Sequence, residues 1–282
     1  YWFGGSVMQL IEAWQSGGNW LSVRDRTWLA RGLPDRPSRF PTHRAFAEAT
    51  LPSILPPGHE KSPYLEAAHL ASTVFLNRGA RFEPVPLPLE AQFSPVFAVN
   101  VGDFDGDGLE DLFLGQNFFG SAFDLSRDDG GRGLWLRGIG QGRFAAASAS
   151  ASGIRILGEQ RGAALGDFNH DGRVDLAVSQ NDAATRLYVN RTGKRGLRVS
   201  LDGPPGNPDG IGAQMRVIYS GDRRGPCRCV QAGSGYWSQD ASAHVLGLQE
   251  QPVALWIRWP GGREQTVPLK PSDWMLEVDF EP

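Results

Sequence analysis

Cysteine is nearly absent from this sequence: of 282 residues only Cys227 and Cys229, in the stretch PCRCV, carry a thiol. Two apart on a strand, they point to one face, but a bridge between them closes a strained small ring, and two thiols leave a zinc site incomplete. There is no disulfide framework to read, and the pair is expected to be reduced or loosely paired. No apolar run reaches the roughly 20 residues a membrane helix needs, so no membrane span is expected. Basic excess is missing too: Lys+Arg 28 against Asp+Glu 31 leaves a net charge of -3, and the arginines are scattered rather than striped. That excludes a broad positive field for nucleic acid. Tyr1 is not preceded by Met or by a basic-then-apolar signal pattern, which leads us to expect a piece of a longer translation product.

What is abundant points to strands. Gly 36 and Pro 20 supply turns, and nine Trp with fifteen Phe suit half-buried pleated surfaces, so the chain is expected to be mainly β. Residues 1–70 differ. SVMQLIEAWQ, WLSVRDRTWLARGL and RAFAEA carry apolar residues at helical spacing, and seven prolines between Pro34 and Pro63 cut the segment into pieces, predicting an irregular helical region. Its Trp14, Trp20 and Trp28 are expected on helix packing faces rather than on a sugar-stacking platform.

From residue 71 the chain repeats. VFLNRGARFEPVPLP followed by VFAVNVGDFDGDGLEDLFLGQN matches LWLRGIGQGRFAAAS followed by RGAALGDFNHDGRVDLAVSQN. The acidic loops begin at Asp103 and Asp167, a period of 167 - 103 = 64 residues. Such a length holds about four short strands with their turns, one blade of a β-propeller. The expected organisation is two blades over 71–195, then a small β-sandwich-like domain over 196–282, where LRVSL, AQMRVIY and VALWIRW alternate in the strand sense. The stretch NRTGKRG reads as the linker between them.

The acidic loops carry the chemistry. DFDGDGLED places Asp103, Asp105, Asp107 and Asp111 at positions 1, 3, 5 and 9, with Leu109 offering a carbonyl at position 7; DFNHDGRVD places Asp167, Asn169, Asp171 and Asp175 likewise, with Arg173 at position 7. Hard divalent cations are held by oxygens gathered at alternate positions of a tight loop, and a nearly complete flexible protein cage suits calcium better than magnesium. Zinc, copper and iron want His or Cys, and His170, at position 4, is expected to face away. An EF-hand closes with Glu at position 12, where these loops have Leu114 and Val178. The pattern therefore predicts two strand-loop-strand calcium sites. The plainer alternative is a pair of acidic hairpin turns. Catalysis by these acids is not expected, since paired acids in glycosidases need separate environments across a cleft.

GDFDGDGLEDL and GDFNHDGRVDL resemble the FG-GAP/VCBS repeat, the calcium-binding propeller blade also found in integrin α chains. GIGAQ, AGSGYWSQ, GLQ and WPGG, in that order, resemble the ASPIC/UnbV domain that follows such repeats in bacterial secreted proteins and cartilage acidic protein. The resemblance implies an extracytoplasmic location, secreted, cell-surface or periplasmic, and calcium-stabilised blades. It also implies a non-catalytic adhesion or ligand-binding role toward an unidentified protein or carbohydrate. Carried over by position, the ligands are the ten loop residues named above. Only two clear repeats are present, so further blades are either missing or hidden in degenerate sequence.

Two other classes compete. A lectin would use Trp135, Tyr236, Trp237 or Trp256 as sugar platforms, against the plainer reading of core packing. Along VALWIRW, Trp256 alternates away from Leu255 and Ile257, whereas Trp259 falls on their side. A hydrolase would use Ser238, Asp240 and His244, but these lie within seven residues and lack a nucleophile elbow. It is the least favoured class.

Overall fold

The computed structural model describes residues 11–61, 63–121 and 126–281. It is mainly β, with 37% strand and 11% helix. The chain divides into two compact units, Tyr1–Leu70 and Ala71–Pro282.

The first unit departs from the helical expectation. Strands β1 (Ala13–Ser16) and β2 (Asn19–Ser22) pair antiparallel, Trp14 opposite Leu21 and Gln15 opposite Trp20. Gly17 and Gly18, at φ 56° and 80°, form the two-residue turn that suits a twisted hairpin. Trp14 and Trp20 are therefore exposed strand residues, not a helix packing face. The rest of SVMQLIEAWQ up to residue 10 lies outside the described residues. Helices do form at α1 (Arg26–Ala30), α2 (His43–Ala47) and α3 (Leu51–Ile54). Asp25 and Thr42 cap the first two by accepting from Trp28 N and Ala45 N. They bury Leu29, Phe46, Leu51 and Ile54 in one small core, with Trp28 packed at its margin.

In the second unit, β3 (Thr73–Asn77) and β4 (Phe82–Pro86) form a hairpin. Next comes an antiparallel four-stranded sheet of β5 (Val96–Gly102), β6 (Asp111–Gln116), β7 (Leu134–Gly138) and β8 (Phe144–Ala146). A short helix α4 (Ala149–Ser152) leads into a three-stranded sheet of β9 (Glu159–Gly166), β10 (Asp175–Asn181) and β11 (Ala183–Tyr188). Every residue of β6 is buried, because Phe113 joins the core shared with β9 and β10 while Leu112 and Leu114 join a second core on the opposite face. A strand covered on both faces reads as a continuous apolar run, as Leu112, Phe113 and Leu114 do at its centre. None of the sheets among the described residues closes on itself.

The remaining strands form two sheets over one core. One contains β12 (Leu197–Asp202) between β15 (His244–Leu246) and a parallel β18 (Met275–Asp279). The other runs β14 (Arg228–Cys229), β13 (Gln214–Ile218), β16 (Ala254–Arg258) and β17 (Glu264–Pro268). Leu197, Val199, Met215, Val217, Leu255, Ile257 and Trp259 fill the space between. Each Å2 of apolar surface buried in this layer contributes roughly 25 cal/mol to stability.

The expected boundary at 195/196 falls inside this second unit, and NRTGKRG is no free tether. Lys194 N donates to Asp105 O at 2.9 Å and Gly196 N to Gly172 O at 2.8 Å, while Asn190 Nδ2 donates to Phe104 O at 2.7 Å. One segment thus binds both acidic loops.

Candidate metal centre

Both acidic loops connect antiparallel strands closed by equivalent pairs, Gly102 opposite Asp111 and Gly166 opposite Asp175. Their hydrogen bonds repeat. Asp103 accepts from Asp107 N at 3.2 Å and Gly108 N at 2.6 Å; Asp167 accepts from Asp171 N and Gly172 N, both at 2.9 Å. Leu109 N donates to Asp107 Oδ1 at 2.9 Å, as Arg173 N does to Asp171 Oδ1 at 3.0 Å. Asp111 and Asp175 each accept from the residue after position 1, Phe104 N and Phe168 N, at 3.0 Å. Each then reaches across to the next strand, to Gly138 N and Asn190 N, at 2.7 Å. Positions 1 and 9 are the folding posts of each loop.

The loops differ in how charge is gathered. In the first, one oxygen each of Asp103, Asp105 and Asp111 lies within 4.8 Å of the others, and Asp103 and Asp111 are buried. Among the described residues no such trio of carboxylates forms in the second loop. There Asn169 Nδ2 donates to Asp171 Oδ2 at 3.0 Å, and Arg173 pairs with that same oxygen at 3.0 Å. The buried Asp167 has an ion-pair partner, Arg198 of β12, at 3.4 Å. The buried acids of the first loop have no basic partner among the described contacts. Its guanidiniums hold other acids: Arg137 of β7 takes Asp105 at 2.5 Å and Asp107 at 2.9 Å, and Arg228 takes Glu110.

Electrostatics follow from that arrangement. Burial pushes Asp103 up to about 7, with the charges of Asp111 and Asp107 adding to it against bonds from Gly108 and Gly106. Burial pushes Asp111 up to about 6, opposed by donation from Gly138, Phe104 and Trp135. Asp175 is raised, again chiefly by burial. The first loop offers converging hard oxygen donors whose two buried acids lack a basic partner, a donor set that could hold a metal ion.

The C-terminal sheets close the first loop from outside. Gly247 lies against Asp103 so closely that a Cβ there would overlap Oδ2, and Gln249 Nε2 donates to Gly108 O at 3.3 Å. Arg228, between the two cysteines, pairs with Glu110 and donates to Val101 O. Neither partner was reachable from loop spacing, although Gly247 and Gln249 form the GLQ motif. Arg137 and Trp135 lie in the repeat's LWLRG stretch, whose contact with the loop depends on the β6–β7 register.

The other sequence candidates separate. Trp135 is engaged with the first loop: its Nε1 donates to Asp111 Oδ2 at 3.0 Å and its ring packs on Phe104. Trp256 is half-buried and donates to Glu264, while Trp259 is in the core. Tyr236 packs edge-on against Phe97, and Trp237 is 92% exposed at φ 47°. In the third group, Asp240 Oδ1 accepts from Leu165 N at 2.8 Å and Asn100 Nδ2 at 3.4 Å. His244 Nε2 and Ser238 Oγ are buried without a hydrogen-bond partner, so no relay joins the three. Burial holds His244 down to about 4, with Arg228 adding to it. Cys227 is exposed and Cys229 half-buried, and both are free. No helix among the described residues is long and apolar enough to cross a membrane.

Residues 203–280 match the family model described as ASPIC and UnbV, so the chain carries an ASPIC/UnbV domain there. That range begins just after β12, although β12 supplies Leu197, Val199 and Leu201 to the same core. No curated protein matches the chain.

Proposed function

We propose that this protein is a calcium-stabilised, non-catalytic binding module that works outside the cytoplasm. In this reading the sheets β5–β8 and β9–β11 are FG-GAP/VCBS-type propeller blades, and the ASPIC/UnbV domain is docked on their acidic loops. The observation that carries it is the trio Asp103, Asp105 and Asp111, gathered within 4.8 Å, with Asp103 and Asp111 buried. Asp107 and the Leu109 carbonyl stand next in the same loop to complete an oxygen shell. The second loop, with Asp167, Asn169, Asp171, Arg173 and Asp175, is the weaker site, since Arg198 and Arg173 already offset its charge. Calcium would tie the strand ends and the linker into one turn, leaving the blade loops free to present a ligand surface.

The test is thermal unfolding of the full chain in excess calcium and in EDTA. A ligand at 100 times its dissociation constant stabilises by about 2.7 kcal/mol, so the curves should separate, and Asp105→Asn should remove most of the separation. Superimposable curves would sink the calcium reading.

One observation favours a carbohydrate as the ligand: Trp237, a bulky residue at positive φ and almost wholly exposed, beside a half-exposed Tyr236. A glycan array with and without Trp237→Ala addresses it; a glycan bound equally by both proteins would remove Trp237 from the site.

A further inference from the structure

The first loop carries a cation of its own. Arg137 reaches from β7 to Asp105 Oδ2 at 2.5 Å through Nε and to Asp107 Oδ2 at 2.9 Å through Nη2. The other oxygen of each acid is taken by the loop backbone, accepting from Asp107 N at 3.2 Å and Leu109 N at 2.9 Å, so both oxygens of Asp107 are engaged. Asp107 does not belong to the converging trio. The fourth carboxylate of the loop is therefore committed to a guanidinium. In the second loop the position-5 acid Asp171 is paired instead from within the loop, by Arg173; by strand register β7 Leu136 faces Leu112 as β11 Tyr188 faces Leu176, which puts Val189 where the first repeat has Arg137. Arginine at this position is thus not needed to build the turn.

We propose that Arg137 is the residue that sets the cation affinity of the first loop, by competing with the metal for Asp105 and Asp107. This rests on the calcium reading. A divalent ion among Asp103, Asp105 and Asp111 needs further oxygens, and Asp107 can turn inward only by leaving Arg137. An arginine that stayed in place would repel the ion, and between a unit charge and a divalent ion a few ångströms apart in a water-like dielectric this weakens binding on the order of tenfold. Half-exposed and held only at its tip, Arg137 can swing to solvent. The loop is then neutralised in part at low cation and bound more loosely than its acid count suggests. It releases and takes up metal within the range where extracellular calcium modules work, about 0.1 to 1 mM.

The measurement is terbium(III) binding to the full chain, read by emission sensitised from Trp135, whose indole is bonded to Asp111, followed by displacement with calcium. Arg137→Gln should tighten calcium binding about tenfold, and Arg137→Lys, which cannot bridge both acids, by a few-fold. Arg137→Gln binding calcium as the parent does, or more weakly, would overturn the proposal and make Arg137 a turn-stabilising residue. If the parent chain binds no terbium at all, the calcium reading itself falls. Should Arg137→Gln fail to fold, Arg137→Lys decides by the same criterion.

Discussion

The two acidic loops share a scaffold and differ in what neutralises it. Both tie position 1 to the backbone of positions 5 and 6, and both tie position 9 to position 2 and to the next strand. Yet the buried acid at position 1 meets Arg198 in the second loop and only the backbone of Gly247 in the first. A repeat can conserve a turn while its neighbours decide whether protein or metal supplies the countercharge. Burial without a partner raises the Asp103 carboxyl pKa and favours a bound cation, whereas Asp167 has the countercharge of Arg198 at 3.4 Å.

Removing the folding posts tests how far the likeness goes. Asp111→Ala strands three donors, Phe104 N, Gly138 N and Trp135 Nε1, whereas Asp175→Ala strands two, Phe168 N and Asn190 N. Orphaned buried donors cost about 1–3 kcal/mol each, so losses of about 4 and about 3 kcal/mol are expected in urea unfolding with calcium present. A larger loss at Asp175 would reverse the comparison.

Acid distinguishes the loops from their support. His244 lines a small cavity with Gly102 and Gly166, the residues that precede the two loops. Its folded pKa of about 4 lies below the ordinary 6.5, so the unfolded chain binds the extra proton. The stability it contributes is whole above pH 6.5 and is lost as pH falls toward 4, by up to about 3 kcal/mol. Chemical denaturation across that window should be flatter for His244→Gln than for the parent. An unchanged slope would assign the acid sensitivity to the loop carboxylates instead.

The smallest effect concerns position 4, where both loops adopt positive φ. Gly106 does so at 70° with the Lys194 carbonyl pressed against it, and His170 does so at 56°. His170→Gly should stabilise the second loop by about 0.5–1 kcal/mol, seen as a small rise in melting temperature. A fall would mean that the imidazole carries a contact the first loop lacks.

Much of this was legible in the chain. The 64-residue period, the strands on either side of each loop and the inward Trp259 against the outward Trp256 follow from spacing and alternation, because side-chain direction in a strand has period 2. The N-terminal hairpin carries a local signal as well, since Gly17-Gly18 is a two-residue turn between AWQS and NWLS, but the apolar spacing of SVMQLIEAWQ points to a helix over the same residues. Trp135 was not legible, because its commitment to Asp111 depends on a neighbouring strand rather than on its own surroundings in sequence.

By itself the sequence determined the loop turns: the acids at positions 1, 3, 5 and 9 and the glycine at position 6 are local, and their bonds to backbone span only a few residues. Which loop leaves its buried position-1 acid without an arginine was decided by tertiary structure alone. Arg198, Arg137, Gly247 and Gln249 reach the loops from tens to over a hundred residues away, and Coulomb interactions answer to distance in space, not along the chain.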